Sequence, residues 1–137
     1  MARNKSFLAL DVGEKRIGVA LASSDVRIAV PFETIGVDEG KEFERIRYLI
    51  GYHNVDMLIV GYPRNQSGGQ TAQTAYVEAF VEQLGSLPCQ QIYQDESLTS
   101  VRAEEILKAR KKPYQKGDID ELAASLILQD YLEYGAR

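Results

Sequence analysis

The chain has 137 residues, of which 45% are apolar and 26% charged, and its formal net charge is -4. This length predicts one compact domain over residues 1–137, too short for two catalytic lobes. No segment reaches the length of a membrane span and the N-terminus lacks a secretory signal, so we expect a cytoplasmic protein without a membrane partner. The charge argues against a surface coated in positive charge but leaves local basic patches open.

Cysteine and histidine are too scarce for the commonest nucleophile and zinc chemistries. Cys89 is the only cysteine, which rules out an internal disulfide and a cysteine-rich zinc site. His53 is the only histidine, and neither residue has an acid-base partner beside it in the sequence. We therefore assign neither a catalytic role.

The first third of the chain contains three β-rich runs. They cover residues 6–12, 17–23 and roughly 27–35, and the short connections between them predict an antiparallel meander. In the third run Ile28, Val30, Phe32 and Ile35 recur in alternation, as in a strand with one apolar face.

The rest of the chain alternates helices and strands. Apolar residues at helical spacing predict a helix over residues 40–52. Residues 57–60 are apolar throughout, which is typical of a strand buried on both faces. The remaining predicted elements are a helix over 71–84, a short strand at 91–93, a helix over 98–109 and a last helix over 119–133.

This order of elements predicts an α/β fold. Three antiparallel strands are followed by parallel strands joined through helical crossovers, giving a mixed sheet with helices on both faces. Ligands gather in such sheets where strand ends and loops converge. Asp11, Gly61 and Glu96 all lie at predicted strand C-termini or just beyond them.

The first predicted strand ends in Asp11-Val12-Gly13. A carboxylate beside a glycine at a strand end can meet a metal ion or a phosphate, because the missing side chain lets the backbone approach closely. The same tripeptide fits a plain hairpin turn. Taken alone, it leaves both interpretations open.

Asp120 begins the apolar face of the last predicted helix, because Ala123 and Ala124 follow it at helical spacing. The two alanines allow the helix to approach a sheet closely. Asp118 precedes the predicted helix with Glu121 three residues on, so we predict that Asp118 is the N-cap of a capping box. A plain first-turn acid, worth about 0.3 to 1 kcal/mol against the helix dipole, is the alternative for Asp120.

Glu96 also has a plain alternative, a polar strand-to-helix connection. Three acids on the same predicted side of the sheet nevertheless favour convergence. Converging carboxylates raise one another's pKa unless a cation neutralises them, and their hard oxygens select Mg²⁺ or Mn²⁺. Two such ions about 3.5 to 4 Å apart serve phosphodiester cleavage. We therefore predict that Asp11, Glu96 and Asp120 are metal ligands and catalytic residues.

A basic segment from Lys108 to Lys116 lies between the second and third acids in the sequence. It fits contacts with a phosphate backbone, and it fits a solvated surface loop equally well. The residues for which we predict substrate contacts are Gly13, Lys15, Arg16, Arg64, Arg110, Lys111, Lys112 and Lys116.

Four blocks of the sequence together resemble the YqgF/RuvX family. They are Asp11-Val12-Gly13 with Arg16 to Ala20, Ile59 to Pro63, Asp95 to Thr99, and Lys116 to Asp120 with the apolar positions after it. The resemblance implies an RNase H-like fold and a bacterial nuclease that matures the 5′ end of pre-16S ribosomal RNA, with resolution of Holliday junctions as the alternative. It also implies a metal site made of Asp, Glu and Asp, which falls on Asp11, Glu96 and Asp120.

The chain departs from the family pattern at three places. Tyr62 replaces the usual leucine, Ser67-Gly68 replaces Asp-Gly in the following loop, and Ser97 replaces the usual arginine after Asp-Glu. None of these changes removes an expected metal ligand. They leave the substrate contacts of that loop open.

Two rival functions remain at this point. Asp-x-Gly after a first strand also resembles the phosphate loop of actin-like kinases, but those proteins close two such domains around a nucleotide and this chain provides one. A noncatalytic nucleic-acid-binding module, with structural acids and a working basic segment, is the second rival. The sequence leaves open whether the protein is a monomer or a homodimer.

Overall fold

The computed structural model describes residues 4–63, 71–96 and 99–135, and five strands and four helices lie within these ranges. The strands are β1 (Ser6–Val12), β2 (Arg16–Ser23), β3 (Val30–Gly36), β4 (Met57–Tyr62) and β5 (Gln90–Asp95). The helices are α1 (Lys41–Tyr52), α2 (Ala72–Leu84), α3 (Thr99–Ala109) and α4 (Lys116–Tyr134). No helix in these ranges is both long and apolar enough to cross a membrane.

The strands form a single mixed sheet in the order β3-β2-β1-β4-β5. β2 pairs antiparallel with both β1 and β3, whereas β4 runs parallel to β1 and β5 runs parallel to β4. The predicted mixed sheet is therefore confirmed. It follows that β1, β4 and β5 end where β2 begins, and we call this the site end of the sheet.

Helices cover both faces of the sheet because successive residues of β1 point to opposite sides. Leu8 and Leu10 pack in a core that includes buried residues of α1 and α2. Ala9, between them, packs on the other side against Ile127 and Leu128 of α4. Burying each such leucine or isoleucine stabilises the fold by about 1.5 to 3 kcal/mol. Helix α3 packs on α4, and the predicted two-faced arrangement is confirmed.

Helix α4 lies directly on β2 because Gly18 has no side chain. A Cβ atom at Gly18 would lie 1.9 Å from the carbonyl oxygen of Asp120, so another residue would force the two main chains apart. Ala124 packs against the sheet, as predicted, whereas Ala123 packs against α3. The glycine, together with one alanine, therefore sets the close approach that we attributed to two alanines.

The apolar alternation of the third run predicts a strand correctly but does not predict burial. Strand β3 begins at Val30, and the side chains of Ile28, Val30 and Phe32 are 60%, 56% and 43% exposed, whereas Ile35 is buried. β3 is the outermost strand beside β2, so part of its apolar side chains stays in contact with solvent. Phe32 meets only the edge of the His53 ring, with centroids 5.3 Å apart, among its ring contacts in the described chain.

The start of α4 corrects the predicted capping arrangement. The helix begins at Lys116 rather than at residue 119, and Gln115 is its N-cap. Asp118 is the third residue of the helix, and its Oδ2 accepts a hydrogen bond of 2.8 Å from the backbone N–H of Gln115. The N-cap assignment of Asp118 was wrong because its carboxylate reaches back from inside the first turn, where it satisfies an otherwise free donor.

Candidate active site

Three acids from separate elements lie at the site end of the sheet. Asp11 is the penultimate residue of β1, Glu96 directly follows β5, and Asp120 lies one turn into α4. β4 stands between β1 and β5 in the sheet, so the side chain of Glu96 has to cross β4 to reach Asp11. The sheet order thus brings together acids that are far apart in the sequence.

Gly61 of β4 makes that crossing possible. A Cβ atom at this position would lie 2.4 Å from Oε2 of Glu96 and 2.7 Å from Cδ1 of Ile127. The missing side chain leaves the space that the Glu96 carboxylate fills. The sequence placed Gly61 at a strand end, but nothing in it indicated which side chain would use this space.

Asp11 and Glu96 form a hydrogen-bonded pair of carboxyl groups. Burial, together with the negative charges of Asp11 and Asp95, raises the pKa of Glu96 to about 9. Burial also raises the pKa of Asp11, to about 6, although the hydrogen bond from Glu96 opposes this change. At neutral pH Glu96 therefore carries the proton, and its hydroxyl donates a hydrogen bond to the Asp11 carboxylate.

One oxygen of this pair has nothing to bind. Oε2 of Glu96 is buried and has no hydrogen-bond partner among the described residues. Leaving a buried polar atom in this state costs about 1 to 3 kcal/mol, and native structures do so rarely. Once Glu96 gives up its proton, this unpartnered oxygen beside the Asp11 carboxylate is the donor set that a hard divalent cation takes.

Asp120 lies beside this pair but is bound to an arginine. Nε of Arg16 donates a hydrogen bond of 2.6 Å to Oδ2 of Asp120, and the Asp120 side chain is 21% exposed. The negative charge of Asp120 contributes to raising the pKa of Asp11, so the two acids interact electrostatically. Across residues 4–63, 71–96 and 99–135, no three acidic, histidine or cysteine side chains are grouped to hold one metal ion.

A cavity of about 420 Å³ opens beside Asp120. Its walls are formed by Gly13, Glu14, Lys15, Arg16, Gln73 and Asp120. The sequence predicted substrate contacts for three of these residues, Gly13, Lys15 and Arg16. It missed Gln73, which lies in the first turn of α2 and whose Nε2 donates a hydrogen bond of 3.3 Å to the carbonyl of Val12. The sequence offered one signal for Gln73, which is that a polar residue stands in the first turn of a helix that follows a polar loop.

The segment Asp11-Val12-Gly13 is both a hairpin and part of this site. The N–H of Gly13 donates to the carbonyl of Arg16 at 3.0 Å, which closes the turn between β1 and β2. A Cβ atom at Gly13 would lie 2.7 Å from that carbonyl oxygen, so the tight turn itself requires glycine. The two interpretations left open by the sequence are therefore compatible.

The remaining predicted substrate residues lie around the start of α4 or outside the described ranges. Arg110, Lys111 and Lys112 are exposed in the turn after α3. Lys116 is the exposed first residue of α4, one turn before Asp120. Arg64 lies outside the described residues, as do Ser67, Gly68 and Ser97.

Tyr62, the departure from the family pattern within β4, is accommodated by α2. The side chain is buried, and its hydroxyl donates a hydrogen bond of 2.5 Å to Oε1 of Glu78. Its ring packs on Tyr93, with centroids 4.6 Å apart. This tyrosine therefore holds the end of β4 against α2 and β5 without entering the carboxylate pair.

Cys89 and His53 lie away from these acids. Cys89 immediately precedes β5, and His53 follows α1, so both are at the opposite end of the sheet from the site. Burial raises the pKa of the Cys89 thiol, which is the reverse of what activates a thiol nucleophile.

Solved structures with a similar backbone define the fold class. RuvC of Thermus thermophilus in complex with a Holliday junction substrate aligns with a TM-score of 0.53 and 15% identity, over 96% of this chain and 98% of that one. The T. thermophilus RuvC structure aligns with a TM-score of 0.50 and 13% identity, over 96% and 97% of the two chains. The expected RNase H-like fold is confirmed.

Sequence relatives then define the family. The family model RuvX, described as Holliday junction resolvase, matches residues 5–134. A relative from Chloroflexus aurantiacus is 42% identical over 131 residues, covering 93% of this chain and 86% of its own length. A Roseiflexus relative is 43% identical over 130 residues, with 92% of both chains covered, and both carry the name "Putative pre-16S rRNA nuclease". The chain belongs to the RuvX family.

We predict that Gly61→Ala displaces the Glu96 carboxylate while keeping the fold. The new methyl group takes the space of Oε2, so Glu96 turns outward, loses Asp11 and becomes solvated. The pKa of Glu96 should then fall from about 9 toward 4.5. A carboxyl NMR titration measures this change. Gly51→Ala is the matched control, since a Cβ there would meet no described atom within 4 Å; a Glu96 pKa unchanged in Gly61→Ala would contradict the packing argument.

We also predict that Glu96→Gln stabilises the metal-free protein at alkaline pH. The folded-state pKa of Glu96 is raised, so the unfolded chain ionises first and the wild-type free energy of unfolding falls as pH rises from about 4.5 to about 9. Glutamine does not ionise, so its advantage should be near zero below pH 4 and on the order of 1 to 3 kcal/mol at pH 9. Denaturant unfolding in a chelator measures it, with the exposed Glu82→Gln as control. An equal pH dependence of wild type and Glu96→Gln would contradict the prediction.

Proposed function

We propose that this protein is a divalent-metal-dependent nuclease that hydrolyses phosphodiester bonds in the 5′-end maturation of pre-16S ribosomal RNA. The observation that carries the proposal is the half-buried Asp11–Glu96 pair, in which Oε2 of Glu96 is buried and unpartnered and Asp11 lies close enough to Asp120 for the charge of Asp120 to raise its pKa. Membership of the RuvX family and the names of its relatives support the nuclease class and the RNA. Action on an rRNA precursor would place the protein in the cytoplasm.

The donor set at this site fits Mg²⁺ or Mn²⁺. Asp11, Glu96 and Asp120 would hold the metal, because their carboxylate oxygens are hard ligands. Glu96 would lose its proton to the solvent on binding the metal, and Asp120, which is paired with Arg16 and not grouped with the other two acids, would have to move toward them. When bound, two such ions would supply Lewis-acid chemistry for phosphodiester hydrolysis, namely activation of a water molecule and stabilisation of the leaving oxygen. We propose this chemistry because the described site offers no histidine or cysteine nucleophile.

The other residues of the site would bind and orient the substrate. Phosphates of the substrate would contact Lys15 and Arg16 at the rim of the cavity and Lys116 at the start of α4. Gly13 has no side chain and would let the nucleic-acid backbone approach the turn closely. Arg110 to Lys112 would extend this basic surface along the nucleic acid. These residues would fix the scissile bond next to the acids.

Resolution of Holliday junctions is the second candidate. The description of the RuvX family and the fold shared with RuvC favour it. It would require two active sites acting on one junction, and hence a dimer. A strictly monomeric protein in solution, measured by light scattering, would count against it.

The decisive prediction concerns the three acids. Asp11→Asn, Glu96→Gln and Asp120→Asn should each slow Mn²⁺-dependent cleavage of a 5′-extended 16S precursor at least about 100-fold, since each removes a ligand charge. Gly61→Ala, which displaces Glu96 without removing it, should cause a loss of about 100-fold. Glu82→Gln is the surface control. Rates are measured with purified protein, and cleavage at the wild-type rate by any of the three acid variants would remove that acid from the site.

The same assay compares the candidate substrates. We expect cleavage of the RNA precursor in preference to a four-way DNA junction, and accumulation of 5′-extended 16S RNA in a depletion strain. Cleavage of the junction alone would favour the resolvase. Nucleic-acid binding without any cleavage would favour the noncatalytic module. ATP turnover without cleavage of RNA or DNA would favour a phosphotransferase of the actin-like kinase type.

The basic turn after α3 should contribute to binding rather than to chemistry. Arg110→Gln and Lys112→Gln should each weaken binding of the precursor RNA and reduce the slope of log K against log salt by roughly one. Lys5→Gln is the control, because Lys5 is exposed and precedes β1 at the opposite end of the sheet. Binding is measured by fluorescence anisotropy at several salt concentrations. If the salt slope is unchanged, the basic turn after α3 is a solvated surface loop that does not contact the RNA.

A further inference from the structure

The ion pair between Arg16 and Asp120 is more constrained than an ordinary surface pair. The hydrogen bond of 2.6 Å joins residues 104 positions apart. The carbonyl of Arg16 accepts the hydrogen bond that closes the β1–β2 turn, which fixes the base of the arginine. The carbonyl of Asp120 lies against Gly18 of β2, which fixes the base of the aspartate. Both side chains therefore start from main-chain positions that the fold holds in place.

The arginine occupies an oxygen that the proposed metal site needs. A charge-assisted hydrogen bond from a guanidinium and coordination of a cation draw on the same carboxylate lone pairs. The guanidinium and a divalent cation consequently compete for Asp120. Among the residues that the structure describes, no arginine contributes to the pKa values of the Asp11–Glu96 pair, so within these ranges the competition concerns the third acid.

Release from Asp120 would leave Arg16 suited to a second partner. Its side chain is 36% exposed and lines the cavity together with Lys15. The guanidinium fork that matches a carboxylate also matches a phosphate. A phosphodiester entering this cavity would meet the arginine at the point where it leaves the aspartate.

We propose that Arg16 is a positioning residue that holds Asp120 in the metal-free protein and exchanges it for a substrate phosphate when a divalent cation binds. This inference rests on the nuclease function proposed above. It differs from a permanent structural ion pair, in which Arg16 keeps Asp120 correctly placed for the metal. It also differs from a simple phosphate contact, in which Arg16 does not affect the metal.

The test is calorimetric titration of the full chain with MnCl₂ alone, for wild type and Arg16→Gln. Removing the competitor should tighten Mn²⁺ binding about 3- to 5-fold, the factor that corresponds to the upper part of the range for a partly exposed ion pair. Lys15→Gln removes a neighbouring positive charge from the same cavity without removing the pair, and should change Mn²⁺ affinity less than about twofold. In steady-state cleavage, Arg16→Gln should raise KM for the precursor RNA at least about threefold, since the phosphate contact is lost.

Arg16→Lys keeps the charge but pairs less well with a carboxylate, so it should tighten Mn²⁺ binding by a smaller factor and decides the matter if Arg16→Gln does not fold. Weaker Mn²⁺ binding by the variants means a permanent structural pair and overturns the proposal. The proposal is also overturned if Mn²⁺ affinity is unchanged in Arg16→Gln or if it rises by the same factor in Lys15→Gln. An unchanged KM for the precursor RNA in Arg16→Gln overturns it as well. Wild-type protein that binds Mn²⁺ and cleaves RNA keeps the proposed nuclease function in each of these cases, whereas wild-type protein that does neither overturns both.

Discussion

The contact between the main chains of β2 and α4 determines where every part of the candidate site lies. Gly18 lets the carbonyl of Asp120 rest on the strand, and this contact carries the third acid to the sheet end where β1 and β5 already place Asp11 and Glu96. A side chain at Gly18 would separate the two layers and withdraw Asp120. The same contact aligns Asp120 with Arg16 at the start of β2. One absent methyl group therefore couples the packing of the fold to the geometry of the site.

The Asp11–Glu96 pair destabilises the fold at the place where the proposed chemistry would occur. Asp11 and Glu96 are held together by burial and by the space at Gly61, and both have raised pKa values. Holding the acids in this state costs free energy that an apolar pair would not cost. The cost is tolerable because the surrounding apolar layers, including Ile127 and the fully buried residues of β4, are well packed. A site that binds a cation strongly is expected to be strained without one.

Much of the fold follows from local patterns, whereas much of the site does not. Periodicity and the order of elements predict the helices, the strands and the mixed sheet, because these two signals depend only on residues that are close together in the sequence. The exposure of Phe32 depends on which strand lies outermost, and the start of α4 depends on the carboxylate of Asp118 reaching back. The passage of Glu96 over Gly61 and the pairing of Arg16 join residues that only the tertiary fold brings together. The acids could be predicted as types and positions, and their partners could not.

The wide separation of Arg16 and Asp120 in the sequence has a consequence for when the proposed enzyme becomes active. Asp120 joins Arg16 across 104 positions, so the site is incomplete until α4 has been synthesised and has docked on β2. A nascent chain that has folded the first three strands presents Asp11 and Arg16 without Glu96 or Asp120. An enzyme that cuts ribosomal RNA would in this way remain inert during its own synthesis until α4 has been made.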